Sequence, residues 1–155
     1  MSDDCKMQKD YVEFLKALIE IPSLSGEEGK AAVFIQNALD QIGVTPQVDE
    51  AGNVYGEIDG GEGPVVLLNG HLDVVPEGSL EAWKPYNPFK AAVEGDVLIG
   101  RGASDLKAGL AAQFFAFKQI KRALDAGASL KGKVIFSAVV HEEAAEMLGM
   151  QYLID

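Results

Sequence analysis

Cysteine, arginine and histidine are all scarce in this chain of 155 residues. Cys5 is the only cysteine, so the chain cannot form an intramolecular disulfide. Arg101 and Arg122 are the only arginines, which leaves few groups able to bind a phosphate or carboxylate through two parallel hydrogen bonds. His71 is one of only two histidines, and it follows directly on an apolar segment with the composition of a buried strand.

Positive charge and long apolar runs are lacking as well. The chain has 13 lysines and arginines against 24 aspartates and glutamates, a net charge of −11, which argues against nucleic acid or an anionic membrane as a partner. No apolar run approaches the roughly 20 residues needed to span a bilayer, and the first residues lack the apolar segment of a secretory signal. With 48% hydrophobic residues the chain can still form the core of one domain. These features predict a soluble, cytoplasmic protein.

The pattern of apolar residues predicts alternating helices and strands. Apolar side chains recur every three or four positions in the helical segments. Ser25 and Glu28 have the spacing of a capping box, which predicts the start of the second helix. Three prolines in residues 76–90 predict an irregular surface loop. The predicted helices are 9–20, 26–42, 104–126 and 144–154, and the predicted strands are 44–50, 53–59, 64–69 and 133–140, with a hairpin at 92–99.

This order of elements predicts a layered α/β fold with a mostly parallel central sheet flanked by helices. In such sheets ligands bind beyond the carboxyl ends of the strands. His71 follows strand 64–69, the glutamates Glu142 and Glu143 follow strand 133–140, and Asp105 precedes the longest helix. If the two strands are parallel neighbours, these polar groups converge on one edge of the sheet.

Each of these residues also has an ordinary structural interpretation. A histidine at a strand end is more often structural than a ligand, and an aspartate at a helix start is commonly an N-cap. Two glutamates that open a helix usually form a solvated first turn. The sequence Gly-Arg-Gly at residues 100–102 has neither the third glycine of a dinucleotide site nor the lysine of a P-loop, and HEEAA at residues 141–145 lacks the second histidine of the His-Glu-x-x-His zinc motif.

Taken together, the same residues favour a metal site. One histidine and several carboxylates at the ends of separate elements are suitable zinc ligands. Asp73, two residues after His71, could accept the second ring N–H of that histidine and so select its tautomer. One of the adjacent glutamates could then bind the metal while the other acts as a general base.

Several motifs in a fixed order carry a resemblance to a known family. They are LIEIPSLSGEE at residues 18–28, NGHLDVVP at 69–76, Trp83 with Pro88-Phe89, GRGASDLKAG at 100–109, and a strand followed by HEE at 141–143. The chain resembles the zinc-dependent aminoacylase and carboxypeptidase-G-like hydrolases, which include acetylornithine deacetylase and succinyl-diaminopimelate desuccinylase. The match extends from residue 18 to the end of the chain.

The resemblance implies a role for each matching residue. His71 would ligate the first zinc ion, Asp105 would bridge two zinc ions, and Glu143 would ligate the second. Glu142 would be the general base that takes a proton from the bridging water, and Asp73 would orient His71. The implied reaction is hydrolysis of an N-acyl or peptide amide bond next to an amino acid, with cobalt or manganese as alternative metals.

The chain departs from the family pattern at two points. His141 stands where the family has an aspartate, so it could form a hydrogen bond there or replace a ligand. The family's remaining carboxylate and histidine ligands lie downstream, where this chain has only Glu146 and Asp155 as carboxylates and no histidine. We therefore expect residues 1–155 to be the N-terminal portion of a di-zinc hydrolase catalytic domain, without the lid or dimerisation domain and inactive on its own.

Two other interpretations stay open at this point. The chain could be a degenerate, non-catalytic module that binds a metal or a partner, or a structural domain that matches the motifs by coincidence. An apolar surface left by the missing half would be covered by association, for example in a homodimer. For the enzyme interpretation, the expected partner is a small N-acyl amino acid or peptide substrate.

Overall fold

The computed structural model describes residues 3–144 and 147–154. No helix within these ranges has the length and apolar character that crossing a membrane requires. The elements in chain order are α1 (Asp3–Ile19), α2 (Gly29–Gln41), β1 (Gln47–Val48), β2 (Val54–Asp59), β3 (Val65–His71), α3 (Leu80–Trp83), β4 (Ala92–Glu94), β5 (Val97–Ile99), α4 (Lys107–Asp125), β6 (Lys133–Val139) and α5 (Leu148–Ile154).

The main sheet has the strand order β1-β2-β6-β3 and is mixed. β3 and β6 are parallel, with His71 opposite Val139, whereas β1–β2 and β2–β6 are antiparallel. The layered α/β fold is therefore confirmed, but the expected mostly parallel arrangement is found only in the β3–β6 pair. A parallel pair needs a crossover of about a dozen residues or more, so the short connection between β1 and β2 permits only antiparallel pairing. The connection from β3 to β6, which contains α4, is long enough for the parallel crossover.

Aromatic packing fixes α4 against the sheet and against α1. Phe14 of α1 stacks on Phe114 of α4 with ring centroids 4.9 Å apart, and Phe114 meets Phe136 of β6 edge to face at 5.7 Å. Leu110 and Phe117 of α4 are fully buried in the same core. Because α4 packs on both parallel strands, the residues just before it are held near the carboxyl ends of β3 and β6.

Several element boundaries differ from the predicted ones. Ser25 and Glu28 do not form a capping box, because Ser25 donates its hydroxyl to Asp73 and the Glu28 side chain makes no capping hydrogen bond to α2. The long helix begins at Lys107 rather than residue 104, so Asp105 lies in the turn before it and is not its N-cap. The hairpin at 92–99 is confirmed, and the loop 76–90 contains the short helix α3. The predicted helix 144–154 is seen as α5, and its residues 145 and 146 lie outside the described part.

Candidate metal centre

Three separate elements bring His71, Asp105 and Glu143 together. One ligand atom of each residue lies within 4.8 Å of the other two. His71 ends β3, Glu143 follows β6, and the parallel register of these strands places both at the same edge of the sheet. Nε2 of His71 is 3.2 Å from Oδ1 of Asp105 and 3.7 Å from Oε2 of Glu142. The His71 side chain is 5% exposed and that of Asp105 is 77% exposed, so the cluster is accessible from one side.

The backbone of Asp73 selects the orientation of the His71 ring. Nδ1 of His71 is 2.9 Å from the Asp73 carbonyl oxygen, whereas the nearer carboxylate oxygen of Asp73 is 3.5 Å away. We infer that Nδ1–H donates to the carbonyl, which leaves Nε2 facing Asp105 and Glu142. This contact differs in detail from the expected one, since the predicted acceptor was the Asp73 carboxylate.

The Asp73 carboxylate instead holds the segment that carries the two glutamates. It is fully buried and accepts hydrogen bonds from the Ser25 hydroxyl at 2.7 Å and from the amides of Glu142 and Glu143 at 3.0 and 2.9 Å. Burial alone would raise the pKa of Asp73, but the His71 ring 3.5 Å away and the hydrogen bonds from Ser25 and the two amides outweigh burial and hold this pKa well below its ordinary value. The spacing of His71 and Asp73 in the sequence did not predict that the Asp73 carboxylate binds the Glu142 and Glu143 amides.

The groups around His71 favour a proton on its ring. Burial lowers the pKa of His71, but hydrogen bonds to Asp73 and Asp105 and the negative charge of Glu142 raise it to about 9. Burial and the nearby charge of Asp105 both raise the pKa of Glu143. A divalent cation that binds here would take the place of the His71 proton and neutralise the negative charge of the carboxylates. One nitrogen with two carboxylate oxygens is a donor set that zinc accepts.

Two basic side chains of the GRGASDLK motif anchor the turn that carries Asp105. Lys107 is fully buried, and its ammonium group donates to the carbonyls of Leu18 and Ile21 at 2.9 and 2.8 Å. Burial lowers the pKa of Lys107 to about 8. Arg101 donates to the Pro76 carbonyl and lies over the Trp83 ring, 5.3 Å from its centroid. Both sides of the Asp105 turn are therefore attached to other segments, which the motif alone did not indicate.

His141 does not join the metal cluster. Its backbone has φ 55°, in the left-handed region, and a Cβ built on Gly26 would lie 3.5 Å from its ring Cε1. Among the described residues, the group with three converging ligand atoms is formed by His71, Asp105 and Glu143. The alternative in which His141 replaces a ligand therefore has no support from this geometry. Glu146 and Asp155, the two carboxylates further along the chain, lie outside the described residues.

Comparison with known proteins identifies relatives of this chain. A relative from Pyrococcus abyssi, named for the hydrolysis of LysW-lysine and LysW-ornithine, is 41% identical over 134 residues, which are 86% of this chain and 34% of the relative. The succinyl-diaminopimelate desuccinylase of a Methylobacterium species is 34% identical over 142 residues, 86% of this chain and 35% of the enzyme. This chain therefore spans about a third of the length of the curated relatives it matches.

Solved structures show the same fold. An M20 family metallo-carboxypeptidase from Sulfolobus solfataricus superimposes with a TM-score of 0.77 at 26% identity, covering 92% of this chain and 32% of that one. The YXEP protein of Bacillus subtilis, a dinuclear metal binding peptidase, superimposes with a TM-score of 0.68 at 20% identity, covering 99% and 41%. The model of peptidase family M20/M25/M40 matches residues 67–155, which include every residue of the metal cluster. The chain belongs to this family of metallohydrolases, peptidase family M20/M25/M40.

Proposed function

We propose that residues 1–155 form the N-terminal part of the catalytic domain of a di-zinc hydrolase that cleaves an N-acyl or peptide amide bond next to an amino acid. The observation that carries this proposal is the convergence of His71, Asp105 and Glu143, with Glu142 beside them. Relatives named as a desuccinylase and as a metallo-carboxypeptidase support the same bond type. Substrates would be small N-acyl amino acids or peptides, and the cytoplasmic location stays a prediction from the sequence.

The resemblance to the family implies which residue would hold which ion. His71 would bind the first zinc ion, Glu143 the second, and Asp105 both, since its exposed carboxylate can offer an oxygen to each. A catalytic zinc ion has about three protein ligands, so two ions that share Asp105 need about five in total, and each ion lacks one. The resemblance to the family implies that the two missing ligands are a carboxylate and a histidine. In this proposal they come from the part of the protein outside residues 1–155. Cobalt and manganese accept the same donors and are alternatives to zinc.

In the reaction, Glu142 is the proton acceptor and donor. When bound, the metal pair supplies polarisation of the amide carbonyl and acidification of a water molecule. The Glu142 carboxylate takes the proton of the attacking water and then delivers it to the leaving nitrogen. Its side chain is 35% exposed and its backbone is held by Asp73, so it can reach a substrate while keeping its position.

Replacing either glutamate in the full-length protein tests these roles. Glu142→Ala should lower turnover of N-acyl amino acids and dipeptides by about 10²-fold or more, while the zinc content stays nearly unchanged. Glu143→Ala should lower both zinc content and turnover. Metal analysis and steady-state kinetics on the same samples separate the two outcomes. Retained turnover in Glu142→Ala would contradict its assignment as the base.

A non-catalytic module that associates with a partner is the second candidate function. Val65, Val66 and Leu67 of the edge strand β3 are exposed, which favours a covered surface at this edge. The intact mass of the protein from its native source distinguishes the candidates. A mass well above 16.5 kDa would make these residues part of a longer hydrolase that can supply the missing ligands. With a mass of 16.5 kDa, the hydrolase proposal would hold only if a partner chain, for example a second copy in a homodimer, supplies the missing ligands.

A further inference from the structure

Side chains from three other segments hold four consecutive backbone amides at the end of β6. Because residues 140–143 lie outside regular secondary structure, their N–H groups need acceptors elsewhere. The acceptors are all buried polar side chains that are distant in the sequence. The four hydrogen bonds run from Val140 to Asn53 Oδ1 at 2.9 Å, from His141 to Glu28 Oε1 at 3.0 Å, from Glu142 to Asp73 Oδ1 at 3.0 Å, and from Glu143 to Asp73 Oδ2 at 2.9 Å.

Glu28 is a buried carboxylate that joins two segments. Its side chain is 4% exposed, and Oε1 accepts hydrogen bonds from the amides of both Gly26 and His141. Within the described ranges, none of the ion pairs includes Glu28. A buried negative charge whose described partners are backbone amides forms strong, charge-assisted hydrogen bonds, and losing them is costly.

The Glu28 side chain does not serve the helix that follows it. Glu28 is the N-cap residue of α2, but its side chain makes no capping hydrogen bond there. It is also absent from the metal cluster formed by His71, Asp105 and Glu143. The contact that distinguishes Glu28 from an ordinary helix-start residue is therefore the one to His141, which is 113 positions away in the sequence.

His141 adopts a backbone conformation that needs such support. A φ of 55° places this residue in the left-handed region, which a residue with a β-carbon rarely adopts and keeps only where its surroundings enforce it. The hydrogen bond from Glu28 acts on the His141 amide itself, while Asn53 and Asp73 hold the amides on either side. If residue 141 relaxed, the direction of the chain entering Glu142 and Glu143 would change.

We propose that Glu28 is a positioning residue for the metal centre. Its carboxylate holds His141 in the left-handed conformation, and this conformation directs Glu142 and Glu143 towards His71 and Asp105. Glu28 acts only through the backbone of His141 and touches neither metal nor substrate. The inference rests on the proposed function, because that function assigns the roles of Glu142 and Glu143 that Glu28 would position.

The test compares Glu28→Gln and Glu28→Ala with Glu27→Gln and Glu27→Ala in the full-length protein. Glu27 lies in the same loop and is exposed, so its variants remove the same charge without removing a buried acceptor. One readout is zinc affinity, measured by competition with a chelator. The other is hydrogen–deuterium exchange of the peptide covering residues 139–144, measured without metal.

We expect Glu28→Ala to bind zinc at least about tenfold more weakly, as is typical when a group that orients ligands is lost. Its 139–144 peptide should exchange faster than in the wild type. Glu28→Gln keeps an acceptor oxygen but loses the charge, so we expect an intermediate loss of about threefold and a smaller rise in exchange. Both Glu27 variants should stay within twofold of the wild type.

The glutamine variant decides the question even if the alanine variant fails to fold. Wild-type affinity and exchange in Glu28→Gln would overturn the inference, and so would faster exchange with unchanged zinc affinity, which indicates a purely structural role. His71→Ala separates this from failure of the proposed function. If the wild type and His71→Ala bind zinc equally poorly, the metal site is wrong, while the exchange data still decide whether Glu28 holds His141.

Discussion

Asparagine in place of Asp73 removes a charge at the point where the histidine and the two glutamates are connected. The Asp73 carboxylate is fully buried, and both of its oxygens accept hydrogen bonds, from Ser25 and from the amides of Glu142 and Glu143. Asparagine has the same shape but one acceptor oxygen, so its NH₂ group would face an amide N–H as a second donor. One amide then loses a charged acceptor and is left unpaired in a buried site.

The expected cost follows from these contacts. Hydrogen bonds to charged groups contribute about 1.5–3 kcal/mol each, so we expect the Asp73→Asn variant to lose about 2–3 kcal/mol of unfolding free energy at pH 7. The pKa of His71 should change as well. Burial lowers that pKa and bonds to Asp73 help to raise it to about 9, so with a neutral partner it should fall towards the ordinary value of 6.5.

Urea unfolding in the presence of a chelator and an NMR titration of His71 measure the two effects independently. Ser25→Ala is the matched control, because it removes one donor to Asp73 but keeps the carboxylate and both amide hydrogen bonds. Ordinary surface substitutions change the free energy of unfolding by up to about 0.5 kcal/mol. The role assigned to Asp73 would be refuted if Asp73→Asn stays within that range of the wild type and the His71 pKa stays near 9.

Two further variants test the turn that carries Asp105. Lys107 has a pKa lowered by burial to about 8 in the folded protein and an ordinary pKa of 10.5 when unfolded, so the unfolded state binds more protons between these values. The wild type should gain about 3 kcal/mol of stability from this group as pH rises from 8 to 10.5, and urea unfolding at several pH values should show that Lys107→Met lacks this gain. Gly102→Ala should destabilise by about 1–3 kcal/mol, because φ is +77° and a Cβ would lie 2.6 Å from Val74 Cγ1. Gly127→Ala, at φ +95° with no atom within 4 Å, should cost less when both glycine variants are compared by thermal unfolding, and an equal cost would contradict the steric argument.

Local patterns in the sequence were sufficient for the elements and for the identity of the candidate ligands. Apolar runs located β3 and β6, periodic apolar residues located α4, and the hairpin at 92–99 was confirmed. Helices, strands and hairpins depend mainly on residues close together in the chain, so their pattern can be read from the sequence. The rule that ligands gather at the carboxyl ends of parallel strands then indicated His71 and the segment with Glu142 and Glu143. The structure places ligand atoms of His71 and Glu143 together with one of Asp105.

The pairing of strands and of buried polar groups was decided by the tertiary structure. Ser25 and Glu28 have the spacing of a capping box, yet their side chains bond to Asp73 and His141, 48 and 113 positions away. A buried donor or acceptor takes whatever partner the fold brings within reach, and that partner need not be near in the sequence. The sequence by itself thus determined which residues could form a metal site and which segments carry them. Only the tertiary structure decided that Asp73 and Glu28 hold the glutamate segment, because those hydrogen bonds exist only after the strands and loops have packed.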